Sequence, residues 1–352
     1  MSEDDRVPVW LLTGFLGSGK TTLLNAWLRS PELSEAAVIV NEFGEIGIDH
    51  ALIASSNDNT IELSTGCLCC TVRGDLVDTL RELIVKRSKG EVRAFDRLII
   101  ETTGLADPAP VIQALMTFPV ARRFRLSQVV TTVDAANGLQ TLERHPESVK
   151  QAAVADEIVI TKVDCGEAAL DEIRAALAKL NPGARLHLSS PERMPAPSDL
   201  ATIDIYDPAT KVDDVARWLN AEAHAHADAH GHGHHHHDVS RHNAEIGSFV
   251  LEFDEPLHWE HVALWLDSLV MGHGSDLLRV KGILDIAGRT APIVVQAVQH
   301  LFHPPFALDA WPDGVRKSRI VFITRNLARD FVQEVFDTIR QRPLPPSGTA
   351  AA

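Results

Sequence analysis

The chain reads as short, wholly apolar runs alternating with stretches that have helical spacing. Val9 to Leu12, Val38 to Val40, Leu98 to Ile100 and Ile158 to Ile160 are uninterrupted apolar segments of strand length, and Val129 to Val133 is a further apolar run broken only by Thr131 and Thr132. Between them, the chain through Leu28, the stretch from about Asp75 to Lys86 and Leu170 to Leu180 repeat apolar residues at helical intervals. Strands that are apolar on both faces and separated by helices predict a parallel sheet covered by helices on both sides. This α/β region is expected to extend over residues 1–210, with a helix from Val212 to Ala223 at its end.

The pattern then changes. Nine of the seventeen histidines lie between His224 and His242 with no apolar period among them, which reads as a mobile linker spanning 211–245 together with the preceding helix. Beyond it, Phe249 to Phe253, Leu277 to Ile286, Ile293 to Val298 and Ile320 to Ile323 read as strands. Trp259 to Leu269 and Ala328 to Arg340 read as amphipathic helices. Residues 246–342 are thus expected to form a smaller α+β domain, followed by a disordered tail over 343–352. There is no internal repeat.

Composition narrows the function. A hydrophobic fraction of 45% and a charged fraction of 23% are those of a soluble globular chain. The formal net charge of −15 argues against a nucleic-acid-binding surface, which would be basic. No apolar run is long enough to span a membrane. The opening Met1-Ser2-Glu3-Asp4-Asp5 lacks the basic and apolar regions of a secretion signal. Four cysteines, three of them clustered, indicate metal or redox chemistry in a reducing compartment, so a cytoplasmic location is expected.

Four motifs carry candidate chemistry. Gly14-Phe15-Leu16-Gly17-Ser18-Gly19-Lys20-Thr21 fits the phosphate-loop pattern G-x-x-x-x-G-K-[ST], and it stands between a strand and a helix as that pattern requires. Its glycines let backbone N–H groups wrap phosphates; Lys20 reaches the β and γ oxygens, Thr21 ligates Mg²⁺ and Thr22 meets the α-phosphate. The strand Leu98 to Ile100 ends in Glu101-Thr102-Thr103-Gly104. Glu101 either holds Mg²⁺ through a water or orients the attacking water, and Gly104 brings backbone to the γ-phosphate. Thr161-Lys162-Val163-Asp164 follows the apolar run at 158–160. The Asp164 carboxylate matches the paired N1–H and N2–H₂ donors of guanine, which adenine lacks, so the nucleotide is expected to be GTP. Ser189 and Ser190 are candidates to complete the base pocket.

The fourth motif is Cys67-Leu68-Cys69-Cys70. Three thiolates make a soft but incomplete ligand set, and a tetrahedral site needs a further donor or stays open for transfer. Glu42, in the acidic segment Asn41 to Asp49, is the candidate additional ligand, with a distant histidine as competitor. Zn²⁺ and Cu(I) both suit such thiolates, while Cys67 and Cys70 also read as a redox C-x-x-C. Cys165 stands alone and is expected to be structural. The histidine tract either binds divalent ions loosely or serves as a solubilising linker.

Taken together, GFLGSGKTT at 14–22, NEFGEIGID at 41–49, GCLCC at 66–70, IIETTGLADP at 99–108 and TKVD at 161–164 resemble the CobW family of P-loop GTPases, a group of metallochaperones. LLRVKGILDIAG at 277–288 and VQHLFHPP at 298–305 are similar to that family's C-terminal domain. The resemblance implies a GTPase with Mg²⁺ that binds zinc or cobalt at Cys67, Cys69 and Cys70 and passes it to client metalloproteins. It also implies phosphate binding by residues 14–22 and base recognition by Lys162 and Asp164. Two other functions fit the residues: a metal store built on the histidine tract, or a GTPase switch whose cysteines are structural or redox-active.

Overall fold

The computed structural model describes residues 6–40, 60–62, 72–166, 169–200, 246–312 and 314–343. The expected helix at 212–223, the histidine tract and the tail beyond 343 lie outside these residues. The chain divides into two compact units, Met1–Lys211 and Val212–Ala352.

In the first unit the elements follow one another as β1 (Val7–Gly14), α1 (Lys20–Leu28), β2 (Ala36–Val40), β3 (Thr60–Glu62), α2 (Val72–Lys89), β4 (Arg97–Glu101), α3 (Ala109–Met116), β5 (Phe124–Asp134), α4 (Gly138–Arg144), α5 (Pro146–Val154), β6 (Glu157–Thr161), α6 (Leu170–Leu180) and β7 (Arg185–Leu188). The strands form one seven-stranded sheet in the order β3-β2-β4-β1-β5-β6-β7, and every pairing is parallel. β1 sits between β4 and β5, so the chain order reverses there and leaves a crevice at the carboxyl end of β1.

Alternation along β1 and its neighbours sorts the core. Trp10, Leu12, Val38, Ile99, Val130 and Val159 pack against Leu23, Leu24 and Trp27 of α1. Ile158 and Ile160, on the opposite face of β6, pack against Ala152 of α5 and Ile173 and Leu177 of α6. Trp10 and Trp27 meet edge to face with ring centroids 5.8 Å apart, and the Trp27 indole donates to the Pro195 carbonyl at 3.0 Å. These contacts anchor α1, and with it the loop that precedes it.

The second unit contains β8 (Ile246–Phe253), α7 (Trp259–His273), β9 (Leu277–Leu284), β10 (Ile293–Val298), β11 (Leu301–Phe302), β12 (Phe306–Ala307), β13 (Ser318–Arg325) and α8 (Arg329–Arg340). Its antiparallel sheet runs β11-β10-β9-β13-β8, with β12 added on β10. Trp265 of α7 and Val332, Phe336 and Ile339 of α8 join Leu251, Val280, Ile320 and Phe322 in one buried cluster. The strand expected to reach Ile286 stops at Leu284, and Leu257 pairs with Ile286 in an isolated bridge instead.

Candidate functional site

The loop after β1 is shaped for an anion. Gly19 caps α1 with φ +92°, a left-handed conformation that glycine adopts without steric cost. Gly14 and Gly17 also have positive φ. No side chain caps the helix and no acid lies in its first turn, a helix N-terminus suited to an anion. Lys20 is buried, and its ammonium donates to the carbonyls of Gly14 at 2.9 Å and Phe15 at 3.1 Å. Ser18 turns inward: its hydroxyl meets Thr132 Oγ1 at 2.6 Å, and its N–H donates to Phe15 O. It therefore fastens the loop to β5. Thr22 is exposed in the first turn of α1.

β4 brings its end beside this loop because Leu12 of β1 pairs with Glu101. The Thr21 hydroxyl donates to Glu101 Oε1 at 2.7 Å. Thr102 Oγ1 donates to Thr13 Oγ1 at 2.8 Å, which locks the two strand ends together. Gly104 lies against Leu16 so closely that a β-carbon would come 2.6 Å from the Leu16 nitrogen. The buried Thr103 hydroxyl has no hydrogen-bond partner among the described residues. The hydroxyl of Thr21 and the carboxylate of Glu101 are hard oxygen donors, which fits Mg²⁺.

The ends of β5 and β6 complete the region on the other side of β1. Lys162 adopts φ +55°, and its ammonium donates to Gly17 O at 2.7 Å and to Asp134 Oδ2 at 2.6 Å. The Thr161 hydroxyl donates to Ser18 O at 2.7 Å. Burial pushes the Asp134 carboxyl up. The hydrogen bond from Lys162, the backbone N–H groups of Ala136 and Asn137 and the Lys162 charge outweigh it and hold the carboxyl below its usual value. Asp134 escaped sequence reasoning, although one signal was available: like Glu101, it is an acid that directly follows an apolar run. Asp164 is exposed at the edge of this region. Ser189 is buried and donates its N–H to Ile160 O, beside β6.

Cys165 stands apart from the loop contacts above. It is exposed, and its thiol donates to Asp164 Oδ2 at 3.4 Å. The adjacent Asp164 carboxylate raises its pKa, which disfavours the reactive thiolate.

Glu42, Cys67, Cys69 and Cys70 lie outside the described residues. Among the described residues no group of three or more His, Cys, Asp or Glu is arranged to hold a metal ion. The strands leading to those positions are described: Val40 of β2 is registered with Glu62 of β3 on one side and with Glu101 of β4 on the other.

A parallel sheet whose central strand delivers a glycine loop to an uncapped helix defines a P-loop nucleoside-triphosphatase fold. Comparison with known proteins gives the family. Residues 8–187 match the CobW/HypB/UreG nucleotide-binding domain, and residues 246–340 match the C-terminal domain of the cobalamin synthesis protein CobW. The chain belongs to the CobW family of P-loop GTPases. It is 31% identical to the zinc chaperone YjiA of Escherichia coli over 95% of this chain and 99% of that one. It is 33% identical to the zinc chaperone CobW of Pseudomonas aeruginosa over 92% of this chain and 88% of that one. A crystal structure of the Zn(II)-bound YjiA GTPase superposes with a TM-score of 0.67 at 28% identity, covering 96% of this chain and 99% of that one.

Proposed function

We propose that this GTPase is a GTP-gated zinc chaperone of the cytoplasm. Two structural facts support the gating. Val40 is registered with Glu101, and Glu101 bonds Thr21 of the phosphate loop. The chain reaches Glu42 two residues after Val40 and Cys67 five residues after Glu62, the registered neighbour of Val40 on the other side. The described strand ends that precede the thiolate and acidic segments in sequence, Glu62 and Val40, thus adjoin the strand end that carries Glu101.

In this reading Gly14 to Thr22 and the α1 N-terminus bind the phosphates, and Lys20 neutralises the β and γ oxygens. Thr21 and Glu101 would hold Mg²⁺, which screens the phosphate charge. Gly104 meets the γ-phosphate, and Asp164 accepts from the guanine N1–H and N2–H₂, with Lys162 holding the loop beneath the base. Water attacks the γ-phosphorus, the bond to the β-bridging oxygen breaks, and GDP and phosphate leave. Zinc, with cobalt as the alternative cargo, binds Cys67, Cys69 and Cys70. Glu42 joins them when GTP orders its segment. Hydrolysis relaxes that segment, and the ion passes to a client metalloprotein.

The test is the joint replacement of Cys67, Cys69 and Cys70 by Ser. Loss of tight zinc binding, together with GTP turnover that no longer responds to zinc, is expected. Retention of the parent's zinc affinity in the triple variant would contradict the assignment.

A further inference from the structure

Helix α5 grips the chain that follows β4 at three points, although it is more than forty residues distant in sequence. Gln151 is fully buried, and its side-chain amide donates to Gly104 O at 3.2 Å and to Ala106 O at 3.0 Å. Lys150 Nζ lies 2.6 Å from Asp107 Oδ2, with both side chains mostly buried. Asp107 Oδ1 in turn accepts from the Ala109 N–H at the start of α3. Between these contacts Ala106 N donates to Thr103 O, closing residues 103–106 into a turn. The helix is itself held. The Thr131 hydroxyl of β5 donates to the Gln151 carbonyl at 2.7 Å, and His145, just before α5, stacks on Phe15 of the phosphate loop at 4.5 Å.

Gln151 is a costly way to fill a core. Its Oε1 has no hydrogen-bond partner among the described residues, which leaves a buried acceptor unsatisfied. An apolar side chain of the same length would avoid that cost but would strip two carbonyls of the turn of their donor. The amide therefore serves the turn. Leu16 packs against the same turn at Gly104, so the turn is fixed by the phosphate loop and by α5 together.

We propose that α5 is a strut that holds the Gly104–Asp107 turn where it meets the γ-phosphate, with Gln151 and Lys150 as positioning residues for GTP hydrolysis. This rests on the reading that Gly104 faces the γ-phosphate. GDP lacks that phosphate, so the strut acts on turnover and on the preference for GTP, and leaves GDP binding alone.

The experiment compares the parent with Lys150→Met, Lys150→Arg and Gln151→Met, measuring kcat and KM for GTP and the affinities for GDP and a non-hydrolysable GTP analogue. Lys150→Met is expected to lower kcat about 10- to 100-fold, the scale of a misplaced catalytic constellation, with GDP affinity unchanged within about twofold. Lys150→Arg, which keeps the charged donor, is expected to restore most of the turnover. Gln151→Met should repeat the Lys150→Met pattern; Lys150→Met decides the matter if the buried replacement fails to fold. Unchanged kcat in Lys150→Met, or a parallel loss of GDP affinity, would overturn the strut. Equal affinities of the parent for the analogue and GDP would instead sink the γ-phosphate reading, and the strut with it.

Discussion

Lys162 holds a left-handed backbone that costs a non-glycine residue about 1–2 kcal/mol. Its side chain offsets that strain by bridging Gly17 and Asp134. Because the Asp134 carboxyl titrates lower in the folded chain than its usual value of 3.8, its stabilisation is complete above that value and is lost as pH falls through the folded one. Asp134→Asn is expected to cost about 1 kcal/mol near neutral pH, a figure kept small by the partly exposed ammonium. Urea denaturation across a pH series should show the gap between parent and variant closing below about pH 4. At the neighbouring Asp164 the expected effect is on specificity. Asp164→Asn replaces an acceptor pair by one acceptor and one donor, so GTP should bind at least about tenfold more weakly while XTP, with a carbonyl at the 2-position, gains. Competition against a fluorescent nucleotide measures both.

The elements show which features the sequence made legible. β1, β4 and β6 are buried on both faces, so they stand out as apolar runs, and α6 has the bounds its spacing predicts. α5 was hidden because it is nine residues long and buries Ser148 and Gln151, polar positions that break a helical apolar stripe. β7 coincides with the short apolar run before Ser189, but the partners of its polar positions were hidden: Arg185 and His187 both bond the fully buried Glu157 of β6, contacts invisible until the two strands adjoin. The same reason separates the site residues. Lys20, Thr21 and Glu101 belong to local motifs, whereas Asp134 and Gln151 act through partners that only the fold brings near. Glu157→Ala leaves the Arg185 guanidinium without its carboxylate at the sheet edge, and a loss of about 3–5 kcal/mol is expected in thermal or urea unfolding. In the second unit, Phe336→Ala removes a ring packed on Trp265 with centroids 4.6 Å apart, and about 3–5 kcal/mol is expected by the same measurement.

Across the whole molecule, the chain joins a GTPase unit to an antiparallel α+β unit, as the CobW family does. No helix among the described residues is long and apolar enough to cross a membrane. If the chain stores metal on its histidines, removing residues 224–242 should remove most bound zinc. If it is a chaperone, the deletion should leave one tight site and the parent's GTP turnover. In the proposed mechanism nucleotide state sets zinc affinity, and coupling of that kind must be reciprocal. The decisive measurement is zinc affinity, read by chelator competition, with a non-hydrolysable GTP analogue and Mg²⁺, with GDP, and without nucleotide. The analogue-bound form should hold zinc about tenfold or more tightly than the GDP form, and zinc should raise analogue affinity by the same factor. Equal zinc affinity in all three states would rule out nucleotide gating.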